Sequence, residues 1–226
     1  MKKKMSAGSG LSKHFIECKS KKVGIDFSGN SSDGQCFRND ASILFFCANS
    51  YKSAFICLDK ELDFRFENNN AIKDIEHLIL PYYFNFRHYV ELSLKALIIA
   101  LTKESPKTTH DLQTLMTCVL EDIDVLKFDE STPAIFCTKE NYDKTKSEVI
   151  KLAQELNKKI NEYQKLECAV EYYRYILEKD KNDLSLKHDK IELDYNQTHL
   201  LFFETRDLFD KLLMKLREIE YVYPTL

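Results

Sequence analysis

Apolar residues recur every three or four positions along most of this chain, the spacing that places them on one side of an α-helix. After Asn39 or Asp40, either of which can cap a helix start, Leu44, Ala48, Tyr51, Phe55 and Leu58 keep that period. Asn68-Asn69-Asn70 marks the loop that follows. A second helix over 71–102 is the most apolar part of the chain, and Pro81 inside it predicts a kink or a split in two. Beyond the break at Ser105-Pro106, Thr109 or His110 opens a third helix over 111–122, with Leu112, Leu115, Met116 and Val119 inward. A loop through Thr132-Pro133 leads to the longest uninterrupted pattern, 141–179, in which Val149, Leu152, Leu156, Ile160, Tyr163, Leu166, Val170, Tyr173 and Leu177 recur at helical spacing.

A straight helix of that length runs about 55–60 Å at 1.5 Å per residue, whereas a compact domain of this size is roughly 45 Å across. It must bend or extend beyond the globule. Two readings follow: a bundle helix packed on its own chain, or an arm along 141–179 that meets a helical protein partner. The charged stretch 179–189 reads as a loop and 191–193 as a short extended piece. Asn196 is then the expected cap of a last helix running to about 220, with Leu200, Leu201, Phe203, Leu208, Leu212 and Leu216 as its core stripe. No repeat of 20–50 residues appears, so a solenoid is not expected.

Composition sharpens this into a fold class. All 5 glycines lie at or before Gly34, and Pro81, Pro106, Pro133 and Pro224 are the only prolines. A chain so poor in turn residues after its first 34 positions does not suit a β-sandwich or a dinucleotide-binding α/β unit. The expectation is an all-α bundle of about five helices over 39–226. A mostly irregular basic arm over 1–38, with one short strand at 23–27, precedes it.

Charge divides the same way. Residues 1–22 carry seven lysines against Glu17, a net of +6, which leaves −9 for the rest of a chain at −3 overall. Such an arm either is a solvated terminus or touches phosphates through counterion release. The 7 cysteines are odd in number and include no Cys-x-x-Cys pair, so reduced thiols in a cytoplasmic protein fit better than a disulfide framework or a zinc knot. Residues 5–13 supply no apolar signal core, and the uncharged apolar stretch 78–86 is too short to span a bilayer. No membrane association is expected.

Chemistry concentrates on the second helix. At 100° per residue, Arg87, Glu91, Lys95 and His88 share an arc of about 100° on an otherwise apolar helix. Arg87–Glu91 and Glu91–Lys95 are i,i+4 pairs that neutralise one another. The arc is either a narrow solvent face, which Lys73 and His77 extend, or a site. His110 either caps or packs at the third helix start, or joins that site. A di-metal bundle needs two matching Glu-x-x-His helices, and only Asp74-Ile75-Glu76-His77 offers anything similar. No Gly-rich phosphate loop, His-Glu-x-x-His or Gly-x-Ser-x-Gly occurs. Neither a metal nor an organic cofactor is expected.

The run Pro81-Tyr82-Tyr83-Phe84-Asn85-Phe86-Arg87-His88-Tyr89-Val90-Glu91-Leu92-Ser93-Leu94-Lys95-Ala96-Leu97 resembles a helix of HEPN-domain proteins, which reads aromatic-x-x-Arg-His-x-x-Glu-Leu-x-Leu-Lys-x-Leu. Thr109-His110-Asp111-Leu112-Gln113-Thr114-Leu115 is similar to their His-x-Leu-x-x-Leu turn, and Tyr173-Arg174-Tyr175 to a later aromatic-Arg-Tyr. The resemblance, over roughly 40–215, implies a HEPN-like helical bundle paired as a homodimer, with a role in prokaryotic defence: abortive infection, toxin–antitoxin modules or other phage defence. It also implies metal-independent cleavage or binding of RNA in a dimer cleft, with Arg87, His88, Glu91 and His110 as catalytic residues.

Histidine suits proton transfer to and from ribose and leaving oxygens, and arginine suits a phosphate. The family's Arg-(x4–6)-His motif is not intact, because positions 92–94 are Leu92, Ser93 and Leu94, and neither Arg174 nor Arg206 has a histidine at that spacing. Either the four residues compose a variant site, or the chain is a catalytically inactive interaction module, a sensor or antitoxin-like partner.

Overall fold

A computed structural model describes residues 40–68, 72–106, 108–128, 138–174 and 194–218, and these form five helices and no strand. They are α1 (Asp40–Glu67), α2 (Ile72–Thr102), α3 (Leu112–Asp124), α4 (Lys139–Arg174) and α5 (Tyr195–Glu218). The all-α bundle is the fold class that the hydrophobic period and the missing glycines require. The arm over 1–38 with its strand at 23–27, the loop at Thr132-Pro133, the charged loop 179–189 and the extended piece 191–193 lie outside the described residues.

α2 is the centre of the bundle. It packs most extensively on α1 and also meets α3, while α4 pairs with α5 and with α3. Its buried face carries Tyr82, Tyr83, Phe86, Tyr89, Val90, Leu94 and Leu97. α1 contributes Phe45, Phe55 and Leu62, and α5 contributes Phe202, Phe209 and Leu212. The rings of Phe86 and Phe202 stack with centroids 3.6 Å apart, and Phe55 meets both edge-on. This aromatic cluster replaces the aliphatic layers of a plain bundle and fixes the azimuth of α2.

Pro81 does not split α2, which runs unbroken through it. The ring lies on the exposed side, and Asn85 Nδ2 donates to the Pro81 carbonyl at 2.6 Å. With no glycine available, α2 ends on Lys103 at φ 63, and the Lys103 N–H donates to the Ile99 carbonyl at 2.8 Å. A left-handed residue here normally favours glycine.

Two caps differ from expectation. Asp111, and neither Thr109 nor His110, caps α3: its backbone is extended and its side chain accepts from Thr114 N at 2.6 Å. Asp194, not Asn196, caps α5 by accepting from Gln197 N at 3.0 Å. In both cases the carboxylate stands three residues before the amide it serves, the geometry a cap requires.

α4 is a 36-residue helix, about 54 Å long. Val149, Ala153, Leu156, Ile160 and Tyr163 are buried against the bundle, and Gln154, Glu155, Lys158, Asn161, Glu162 and Lys165 point outward. Over that span the helix lies on its own chain and shows a polar outer face; 175–179 falls outside the described residues.

One apolar stretch escaped the sequence argument about membranes. α1 contains an 18-residue window of mean hydropathy 1.4, long and apolar enough by composition to cross a bilayer. In the fold it lies along α2 and carries the buried Asp59.

Candidate functional site

The polar arc on α2 is not a solvent face. Arg87 is 8% exposed and Glu91 5%, and both sit under the connection between α2 and α3. Arg87, Glu91 and Lys95 follow one another by single turns, so helix geometry alone aligns them. Arg87 Nη1 donates to Glu91 Oε2 at 2.9 Å, and Lys95 Nζ donates to Glu91 Oε1 at 2.8 Å.

The connection supplies the rest. Arg87 Nη2 donates to the His110 carbonyl at 2.8 Å, and His110 Nδ1 lies 2.9 Å from Glu91 Oε1. A carboxylate accepts, so Nδ1–H is the donor and Nε2 is left as the basic nitrogen. The His110 side chain is 75% exposed while Glu91 beneath it is 6% exposed. An accessible imidazole is thus held, through ring and backbone, by a buried carboxylate and a buried guanidinium. The Asp111 cap next to it fixes the chain direction, and its carboxyl is held low by the Thr114 hydrogen bonds, with smaller help from Gln164 and Arg87.

His88 does not join this group. Adjacent helical residues point about 100° apart. The His88 ring accordingly turns toward α1, packing at a tilt against Phe84 at 4.0 Å and Tyr51 at 5.1 Å, with Nδ1 3.0 Å from the Phe84 carbonyl. Of the four residues named from sequence, the fold brings together Arg87, Glu91 and His110, and it adds Lys95.

Glu91 experiences opposed effects. Burial disfavours its charge, but hydrogen bonds from Lys95 and His110 and the charges of Lys95 and Arg87 outweigh that and hold its pKa below the ordinary 4.5. A depressed carboxylate stabilises the fold above its unfolded value and loses that contribution as pH falls through the lower folded value. The melting temperature should therefore fall as pH drops below about 4.5, and Glu91→Gln should lack that part of the fall. Parallel profiles for the two proteins would remove Glu91 from the acid response.

A second polar cluster has no counterpart in the sequence reading, which expects no metal ligand set. Asp59 of α1, 3% exposed, takes hydrogen bonds at its Oδ1 from Tyr82 O–H at 2.8 Å, Tyr195 O–H at 3.1 Å and His199 Nδ1 at 2.8 Å. Asp63 accepts from Tyr195 O–H at 2.9 Å. Burial and the neighbouring carboxylates push both phenols up: Asp59 acts on Tyr82, and Asp63 with Asp59 on Tyr195. One signal was available. Asp59 lies between Phe55 and Leu62 on the buried stripe of α1, where an apolar residue belongs.

Comparison of the chain with protein-family models, with curated proteins and with solved structures finds no match.

Proposed function

We propose that this chain acts on RNA in the manner its HEPN-like helix suggests, as a metal-independent endoribonuclease of prokaryotic defence with His110 as its acid–base residue. The observation that carries this reading is the exposed His110 imidazole backed by the buried Glu91. The basic Nε2 takes the proton of a ribose 2′-hydroxyl, whose oxygen attacks the adjacent phosphorus. The P–O5′ bond breaks, and the leaving oxygen takes a proton. A second copy of His110, brought across the two-fold axis of a homodimer and carrying a proton on both ring nitrogens, supplies that proton from its Nε2. Glu91 and Arg87 are positioning residues: the first holds the ring, the second the His110 carbonyl. Lys95 adds positive charge where the phosphorane develops. Such chemistry belongs in the cytoplasm, where the substrate RNA is.

The test is RNA degradation by the purified full chain in EDTA, below its melting temperature. Wild type should cut, His110→Ala should lose about 10²–10⁴-fold, and His88→Ala should keep its rate. Equal cleavage by wild type and His110→Ala overturns the assignment. No cleavage of any RNA favours a second reading, the inactive interaction module, a sensor or antitoxin-like partner. One observation supports that alternative directly: Arg87 is 8% exposed and its nitrogens bond to Glu91 and to the His110 carbonyl, so the guanidinium works as a staple between α2 and the start of α3.

A further inference from the structure

We infer that Asp59, Asp63 and His199 form a binding site for one divalent transition ion, of the Zn²⁺ or Mn²⁺ type, joining α1 to α5. This is separate from the RNA reading and uses none of its residues.

The three side chains each offer one ligand atom, and those atoms all lie within 4.8 Å of one another. Metal–ligand bonds of about 2.0–2.2 Å put ligand atoms up to roughly 4.4 Å apart, so small side-chain adjustments suffice. Asp59 and Asp63 are one helical turn apart and face the same way. His199 comes from α5, one turn after Tyr195, whose hydroxyl lies 3.1 Å from Asp59 Oδ1 and 2.9 Å from Asp63 Oδ1. The donor set is therefore built from two helices and supported by a hydroxyl that orients both carboxylates.

Charge balance supplies a separate reason. Asp59 is 3% exposed, yet among the described residues neither it nor Asp63 pairs with a lysine or arginine. The groups facing them are Tyr82, Tyr195 and His199, two phenol hydroxyls and one imidazole. Tyr195 has a single hydroxyl proton for three oxygens within 3.2 Å, the third being the Asp59 carbonyl. Two carboxylates this close, one of them desolvated, are short of positive charge. A divalent ion balances both.

The imidazole decides which ion. A nitrogen beside two carboxylate oxygens suits zinc or manganese, whereas magnesium and calcium prefer all-oxygen shells. His199 is 36% exposed, which leaves an entry path. On binding, the Nδ1–H contact to Asp59 gives way to a metal–Nδ1 bond, and a neutral ring shifts its single proton to Nε2 through solvent. A ring that was protonated releases the second proton to solvent.

The experiment is calorimetric titration and melting of the full chain, stripped of metal, with Zn²⁺, Mn²⁺, Mg²⁺ and Ca²⁺. Because Asp59 is buried and its replacement risks the fold, the variants are Asp63→Asn and His199→Gln. Wild type should bind one Zn²⁺ or Mn²⁺ per chain and melt about 5–10 °C higher at a hundredfold excess over Kd. Mg²⁺ and Ca²⁺ should leave the melt unchanged, and each variant should bind at least tenfold more weakly. Mn²⁺ avoids confusion with the cysteine thiols, which favour Zn²⁺. Folded wild type without stoichiometric binding overturns the site. So does binding that survives in both variants, or a response to Mg²⁺ equal to that for Mn²⁺.

Discussion

Glu91→Ala should unfold this protein more readily than any other single change on the polar arc, by about 3–5 kcal/mol. At about 2–4 °C per kcal/mol for a chain of this size, the melting temperature drops by roughly 6–20 °C. The reason is the charge left behind. Arg87, 8% exposed, loses the Glu91 carboxylate that lies 2.9 Å from it, while Lys95 and the His110 ring lose their shared acceptor. Removing one partner of a buried ion pair costs more than the intact pair contributes, because the remaining charge stays desolvated. Lys95→Ala should cost about 1 kcal/mol or less, since Glu91 keeps Arg87 and the lost ammonium is part-exposed. Replacing both Arg87 and Glu91 by apolar residues of similar volume should recover most of the loss. Equal, small shifts for Glu91→Ala and Lys95→Ala would show that the network carries little of the stability.

Phe202→Ala should be comparably severe, at about 3–5 kcal/mol, for a different reason. The ring is fully buried and stacks on Phe86 at 3.6 Å while touching Tyr82 at 4.9 Å, Tyr83 at 5.1 Å and Tyr163 at 5.7 Å. It is the side chain at which α2, α4 and α5 meet, so its removal leaves a cavity that three rigid helices cannot close. Phe203→Ala, one position along and half-buried, should cost much less. Chemical denaturation should show a lower midpoint for Phe202→Ala at unchanged slope. A midpoint matching that of Phe203→Ala would contradict the packing argument.

Sequence and tertiary structure divide the molecule along a physical line. Helix existence and much of the core faces were legible because they depend on neighbours three or four residues away. The stripe Leu112, Leu115, Met116, Val119 is buried as its period requires, and so are Val149, Leu156, Ile160 and Tyr163. The Arg87–Glu91–Lys95 ladder was legible for the same reason, being set by helix pitch.

What covers a face is not written in its period. Whether Arg87 and Glu91 meet water or protein depends on the chain 19 to 23 residues later, which returns as the α3 cap and lays His110 over them. His88 shared the arc, yet the packing of α1 gave it Tyr51 as a neighbour, beside Phe84 one turn earlier on its own helix.

The Asp59–His199 contact spans 140 positions. No local rule pairs two residues so far apart, because loop closure and helix docking decide it together. The sequence by itself determined where the helices run, the inward faces of α3 and α4, and which pairs lie one turn apart; on α5 its stripe included Leu200, which is 57% exposed, and passed over the buried Phe202 and Phe209. Only the tertiary structure decided which polar groups from different helices share a buried place, since that depends on how helix faces dock, an arrangement set by side-chain shape across the whole core.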